Sequence, residues 1–598
     1  MNSSNNIPAA DPNIVKARKV LQQAISYHQA GHLLQAINCY RQVLDLKPDD
    51  LNSLSNMGAA FQNLGKLEEA VGFYRRCTEI KPDFATAYSN LGVALDVLGR
   101  FDEAISSLKK AISIKPDYAD AFANLGNTQR KKGDLEGAIA SCKRAIAINP
   151  GTYQSYSNLG NCYQEQGKFE EAIINYRKAL AISPNYTPCH NNLICCIDLF
   201  SGNSYDQSYT ERVKWAEQHA TPLKVQWSPF TNIPDPDKVL RIGYVGADFR
   251  LHSAALIFGS MLLNFNDKKF QTFCYAGNIV KDDLTQQFMD KSTRWLPTSG
   301  IDDETLAKEI RKDKIDILVD LAGHTLGNRL LTFARKPAPI QVTAWGYPLG
   351  TAMEAMDYIF ADPVVVPISE RNKYKEQIID LPCVIQFNPS SEYPKINELP
   401  YLQNGYITFG AFNRLEKYNN ELYKTWAEIL QKIPTAKLLI KTGKKITANI
   451  SNEIKDQFFK LGIENNHITL VGRTPIKEHL EMHNQIDIML DPFPHNGGMT
   501  TLDSLQMGVP VLNCEGLTHY PVSASIIHVM GLDEWCVNSK EEYINKAVEF
   551  SQAIATLKNL RHELRGRLKN SVLGDSQLYT KKVEDIYRKI WQAWCAKQ

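Results

Sequence analysis

Apolar positions recur at helical spacing through the first 220 residues, and the pattern repeats every 34 residues. Five segments align without gaps, beginning at Ala17, Leu51, Ala85, Ala119 and Tyr153. The eighth position holds Gly58, Gly92, Gly126 and Gly160. The twentieth holds Ala36, Ala70, Ala104, Ala138 and Ala172. Small residues there let two antiparallel helices pack closely. Pro48, Pro82, Pro116, Pro150 and Pro184 fall at position 32, where a proline ends the second helix before the next unit. After residue 228 the pattern changes. Short apolar runs of strand length alternate with amphipathic helical stretches, which predicts parallel sheets covered by helices. Strands are predicted at Val239–Val245, Phe270–Tyr275, Ile315–Asp320, Ile340–Ala344 and Tyr358–Phe360. After a Pro/Asn/Ser-rich gap they resume at Tyr406–Phe409, Lys437–Lys441, His467–Val471, Ile486–Leu490 and Val509–Asn513.

The 34-residue unit is the tetratricopeptide pattern. Each helix pair cannot bury its apolar face alone, so neighbours stack into a superhelix. The predicted order is a polar tail over 1–16, five repeats over 17–186, and a degenerate capping repeat with linker over 187–227. Two α/β lobes follow over 228–395 and 396–575, and a last helix over 576–598 packs back on the lobes. The fold class is therefore an α-solenoid followed by two Rossmann-like lobes with a cleft between them, where ligands sit at the carboxyl ends of strands.

Asn56, Asn90, Asn124, Asn158 and Asn192 all occupy position 6 of their repeats. A carboxamide both donates and accepts, so a row of them can grip the backbone of an extended peptide. The other reading is a polar residue facing water.

Composition narrows the classes. With 67 basic and 65 acidic residues the net charge is +2, which argues against bulk attraction to nucleic acid or membrane. No apolar run has the length of a membrane span. The first residues lack the basic patch and apolar core of a signal peptide. The 12 cysteines are scattered without a Cys-X-X-Cys pair, which predicts buried thiols in a reducing cytoplasm. No His/Cys set shows zinc spacing, and no Walker lysine follows a glycine pair.

Candidate chemistry gathers at predicted strand ends. Gly497, Gly498, Met499, Thr500 and Thr501 stand between a strand and a helix. A glycine pair exposes backbone N–H groups, threonines add hydroxyls, and the helix N-terminus adds positive charge. The stretch is either a diphosphate cradle or an ordinary strand–helix turn. Arg414 and Lys417 follow another strand and can both reach one anion. His252 follows the first strand of the first lobe. It is either an acid–base group or a capping residue. His324 follows the third strand, as a second polar group of the cleft or a hydrogen-bonded structural histidine.

As a set, RIGYVGADFRLHS, PAPIQVTAWGYPLGTAMEAMDYIFAD, ITFGAFNRLEKYN, GRTPIKEHL and DPFPHNGGMTTLDSLQMGVPVL resemble the O-linked N-acetylglucosamine transferases and the similar plant SPINDLY-type protein O-fucosyltransferases. The resemblance spans nearly the whole chain. It implies a GT-B fold and inverting, metal-independent transfer from a nucleotide sugar, UDP-N-acetylglucosamine or GDP-fucose, to Ser or Thr of proteins, with no cofactor. It implies an active-site base at His252 and a diphosphate-binding lysine at Lys417. Arg414 falls where animal enzymes have a uridine-diphosphate-contacting glutamine. His479 lies near the nucleotide, Gly498, Met499 and Thr500 contact the diphosphate, and Asp503 binds the ribose. Trp345, Gly346 and Pro348 form a turn near the sugar. Partners would be acceptor proteins or peptides along the repeat groove, and a second copy through the repeats. The chain departs from the family at Met499, usually threonine in bacterial relatives, and at Leu326, lysine in animal ones. An inactive repeat scaffold is the reading Met499 motivates.

Overall fold

A computed structural model describes residues 12–200, 205–278, 280–346, 349–387, 393–443 and 446–598. They fall into two compact units that divide between Cys189 and His190.

The first unit is a solenoid of antiparallel helix pairs, for example Leu51–Asn63 with Leu67–Ile80 and Tyr153–Glu165 with Phe169–Ile182. The glycines at position 8 face the second helix of their own pair. A Cβ on Gly160 would lie 2.6 Å from the Tyr176 ring, and one on Gly126 would lie 2.6 Å from the Cys142 sulfur. The periodic alanines Ala36, Ala70, Ala104, Ala138 and Ala172 are fully buried. A second glycine register closes each pair: Gly31, Gly65, Gly99, Gly133 and Gly167 take φ between 73° and 93° at the inter-helix turn, a conformation that costs other residues.

The second unit holds two parallel sheets. The first runs β1 (Leu240–Gly246), β2 (Phe270–Ala276), β3 (Arg294–Pro297), β4 (Ile317–Asp320), β5 (Ile340–Thr343), β6 (Tyr358–Ala361) and β7 (Gln377–Asp380), in spatial order β3-β2-β1-β4-β5-β6-β7. The second runs β8 (Thr408–Phe412), β9 (Lys437–Lys441), β10 (Ile468–Val471), β11 (Ile488–Leu490), β12 (Val511–Cys514) and β13 (Cys536–Val537), in order β10-β9-β8-β11-β12-β13. Each order reverses once, at β1/β4 and at β8/β11, which are the switch points where such sheets bind ligands. Three strands were not predicted. β3, β7 and β13 lie at the sheet edges, where β3 and β7 carry Arg294, Gln377 and Asp380 among their apolar residues and β13 has two residues.

The last helix, Ser576–Cys595, buries Tyr579, Val583, Tyr587 and Trp591 against β1, β4 and β5. The Tyr587 and Tyr244 hydroxyls meet at 3.1 Å. The segment after His190 is equally bound to the first lobe. Trp215 and Ile194 join Val245, Tyr275 and Leu318 in one cluster. A fully buried ion pair, Arg212 to Asp198 at 2.6 Å, holds its two helices together.

Gly160→Ala should cost the solenoid about 1–3 kcal/mol, because the added methyl must displace the Tyr176 ring. Faster hydrogen exchange over 153–182, with the lobes unaffected, is the expected readout.

Candidate functional site

β11 ends on a buried aspartate that shapes everything after it. Asp491 accepts the Gly497 amide at 2.9 Å and the Asn513 side chain at 2.8 Å. Burial raises its carboxyl above the usual range, opposed by Ser523, Lys417, Asn513 and the Gly497 amide. Gly497 has no room for a side chain: a Cβ would meet the Thr501 hydroxyl at 2.6 Å and the Asp491 carboxylate at 2.8 Å. Gly498 stands at the N-terminus of the helix Met499–Gln506 with φ −152° and no capping side chain. The first amides of that helix are therefore left for another acceptor. Thr501 is buried and bonded to the Ser523 hydroxyl at 3.0 Å, so it braces the turn. Thr500 and Met499 are partly exposed.

Lys417 reaches this turn from the loop after β8. Its ammonium donates to the Asn496 carbonyl at 2.5 Å. Burial and the Arg414 guanidinium lower its pKa to about 7, against the attraction of Asp491 and Glu416. Asn419 anchors the same loop by donating to the Phe493 carbonyl at 3.2 Å. A lysine, a glycine-rich turn and a helix N-terminus are thus brought to one place, and Arg414 stands exposed at its edge.

Asp503 lies one turn along the same helix. It accepts the Tyr393 hydroxyl at 2.9 Å and lies 3.7 Å from His479 Nε2. Nδ1 of His479 and the Thr474 hydroxyl are buried without a hydrogen-bond partner among the described residues. Burial of this kind without a partner is costly, and both groups suit a polar ligand. A cavity of about 450 Å³ opens nearby in sequence, at the end of β10 and the start of the helix Ala448–Lys460, lined by Thr447, Ser451, Gly472 and Arg473.

In the first lobe, His252 caps the helix Ser253–Asn264. Its Nδ1 accepts the Ala254 amide at 3.3 Å and lies 3.5 Å from Asp248. The side chain is 41% exposed, which leaves Nε2 to face outward chemistry. His324 does not line an open pocket. It is 1% exposed, with Nδ1 3.0 Å from the Asn191 side chain and its ring edge-on to Trp215 at 4.9 Å. Burial lowers its pKa well below the ordinary histidine value. The segment after His190 covers it, and its Nε2 is buried without a hydrogen-bond partner among the described residues. The Trp345 side chain is also in the core, donating to the Tyr579 hydroxyl at 3.0 Å. Only its backbone, at φ +59°, shapes the turn. Gly346 is required there, since a Cβ would lie 2.0 Å from the Leu321 carbonyl. Pro348 lies outside the described residues. Leu326 is 92% exposed.

Along the repeats, Asn56, Asn90, Asn124 and Asn158 are all half-buried. Asn158 donates to the Ala123 carbonyl of the preceding repeat at 3.2 Å. Part of the row therefore holds the repeats themselves. Asn192 lies in the second unit.

The residues that sequence reasoning missed are Asp491, Ser523 and Tyr393. Asp491 carried a signal: it is the acidic residue that ends the apolar run Ile486–Leu490. Ser523 and Tyr393 are far from the turn in sequence and carried none.

The description "Glycosyl transferase family 41" matches residues 214–387 and 397–583. Tetratricopeptide descriptions match 24–65, 51–84, 98–133, 119–151 and 153–186. The chain is 32% identical over 397 residues to the "Probable UDP-N-acetylglucosamine--peptide N-acetylglucosaminyltransferase SPINDLY" of Solanum lycopersicum, covering 65% of this chain and 42% of that protein. The Arabidopsis thaliana protein of the corresponding name ending SEC is 31% identical over 380 residues, 60% of this chain and 38% of that one. The chain thus spans about two-fifths of the length of these curated relatives. Among solved structures, an O-GlcNAc transferase mutant from Thermobaculum terrenum superposes with a TM-score of 0.79 at 29% identity, covering 86% of this chain and 99% of that one.

The lysine predicts a pH dependence. Free Lys417 loses its proton near pH 7, and a bound diphosphate stabilises the ammonium and raises that pKa. Binding therefore takes up a proton above pH 7 and is complete without one below it. Calorimetry with UDP-N-acetylglucosamine, whose diphosphate diester does not titrate near neutrality, should show affinity level below pH 7 and falling above it, by up to about tenfold per pH unit. Lys417→Met should flatten the profile.

Proposed function

Because the chain belongs to glycosyl transferase family 41, we propose that it transfers a sugar from a nucleotide sugar to serine or threonine hydroxyls of proteins, with UDP-N-acetylglucosamine as donor. The observation that carries this is the Lys417 ammonium at 2.5 Å from the Asn496 carbonyl, beside the Gly497–Gly498 turn and an uncapped helix N-terminus. That arrangement suits a diphosphate, and above all a diphosphate gaining charge as it leaves. The UDP-N-acetylglucosamine in the names of the relatives supports the choice of donor.

In the proposed step an acceptor oxygen attacks the anomeric carbon from the face opposite the diphosphate. The new C–O bond forms as the bond to the diphosphate oxygen breaks, which inverts the centre. The hydroxyl proton leaves to His252 Nε2, in the tautomer that carries its own proton on Nδ1, directed at the Asp248 carboxylate 3.5 Å away in place of the bond from the Ala254 amide. Lys417, Thr500 and the helix N-terminus balance the negative charge on the leaving group, and no step is routed through a metal. Asp503 and His479 would hold the ribose. The repeats would present the acceptor, supplying proximity. A second donor, GDP-fucose, is favoured by one feature: the exposed Arg414 where the resemblance places a uridine-contacting glutamine.

The test is nucleotide release and mass gain on extract proteins with each donor. Transfer with UDP-N-acetylglucosamine and not GDP-fucose is expected; the reverse would move the assignment to fucose. Absence of both transfer and nucleotide binding would leave a repeat scaffold. Lys417→Ala should lower turnover by roughly 10²–10³-fold with an unchanged circular dichroism spectrum. Unchanged turnover would refute the role given to the lysine.

A further inference from the structure

A second polar cluster lies in the same lobe and shares no residue with the diphosphate turn. Glu515 follows β12, His528 sits in the last turn of the helix Val522–Val529, and Cys536 begins β13. A carboxylate oxygen, an imidazole nitrogen and the thiol sulfur of these three all lie within 4.8 Å of one another. Among the described residues this is the one group of three or more His, Cys, Asp or Glu side chains so arranged. The three come from separate segments, so no linear spacing announces them. The fold assembles them: β12 pairs with β13 in register Asn513↔Cys536, and the helix Val522–Val529 packs over that pair.

We propose that Glu515, His528 and Cys536 form a zinc-binding site. Thiolate, imidazole and carboxylate are the three zinc ligand types, and a soft sulfur beside an imidazole selects zinc over magnesium or calcium. Around a tetrahedral zinc with bonds of about 2.0–2.3 Å, ligand atoms stand roughly 3.3–3.8 Å apart. His528 Nε2 is already 3.0 Å from Glu515, so small rotations suffice. The fourth observation is an outer partner. Asp533 lies 2.5 Å from His528 Nδ1, on the nitrogen opposite the one facing Glu515. A carboxylate on the far nitrogen fixes the tautomer and orientation of a ligating histidine. A cavity of about 540 Å³, lined by Glu515 and His528 together with Tyr374, Thr518 and Asn538, gives an entry path and room for a fourth, water ligand. On binding, the Cys536 thiol and the His528 Nε2–H, which faces Glu515 in the metal-free cluster, each give a proton to solvent, and the sulfur and the nitrogen bond the metal.

The site would brace the edge of the second sheet. It would also fix the far end of the helix whose first turn carries Ser523, the partner of Thr501 in the diphosphate turn. The sequence expectation of no metal covered the whole chain, and this proposal departs from it at a cluster whose three members come from separate segments.

The test uses the full chain, stripped with chelator and titrated with Zn²⁺ and Co²⁺. One equivalent should bind, and Co²⁺ should give a thiolate-to-metal charge-transfer band. Cys536→Ser should abolish that band with an unchanged circular dichroism spectrum, although 11 of the 12 cysteines remain. Asp533→Asn, which leaves all three ligands in place, should weaken zinc binding by about 10–100-fold. A band or stoichiometry that survives Cys536→Ser would overturn the assignment. So would failure of the wild-type chain to bind either ion, which would make the cluster a plain ion pair.

Discussion

The loops of the candidate site hang on buried aspartates at the ends of strands. A parallel sheet leaves backbone amides at its carboxyl edge without ladder partners, and buried amides need acceptors. Asp491 answers this after β11, taking the Gly497 amide and the Asn513 side chain. Asp320 answers it after β4, taking the Ala322 and Gly323 amides at 3.1 and 2.9 Å and the Thr343 hydroxyl at 2.9 Å. Asp362, just past β6, takes the Val364, Val365 and Val384 amides and the Ser525 hydroxyl of the other lobe. Each is essentially buried. A carboxylate in that setting is tolerable only while its hydrogen bonds persist, so the loops it holds are fixed as firmly as the strands.

That constraint explains the glycines. Gly497 lies against the Asp491 carboxylate and Gly346 against the Leu321 carbonyl, places where backbone must approach closer than any side chain allows. It also explains how two candidate side chains of the first lobe come to be buried. The Asp320 loop presses His324 under Trp215 and the Asn191 side chain, and the last helix holds Trp345 through Tyr579.

The fold was legible because its signals are periodic. The repeats announce themselves every 34 residues, and the central strands are unbroken apolar runs. Edge strands such as β3 and β7 were missed because a half-covered strand needs no such run. At the site, Lys417, the glycine pair and His252 could be placed at strand ends from sequence. Side-chain direction could not. Thr501 and Thr500 are adjacent, yet one is buried on Ser523 and the other is partly exposed beside Gly497, which depends on the helix Val522–Val529 arriving from a distant part of the chain. His324 and His252 both follow first-lobe strands. Only the covering segment after His190 separates the buried one from the exposed one.

The lowered pKa of Lys417 gives the site a definite energetic character. Covering an ammonium beside Arg414 is unfavourable, and near pH 7 the side chain is poised between its charged and neutral forms. On the proposed reading a diphosphate reverses that balance, since its charge outweighs the guanidinium. The attraction is strongest when the leaving group carries the most charge, at the transition state rather than in the bound donor. Asp491 sets how far this goes. It attracts the ammonium enough to keep it in place, yet hydrogen bonds from Gly497, Asn513 and Ser523 occupy it. Among the described residues the lysine is therefore held by the Asn496 carbonyl rather than by a salt bridge, and on the proposed reading its ammonium form is the one that meets the phosphate.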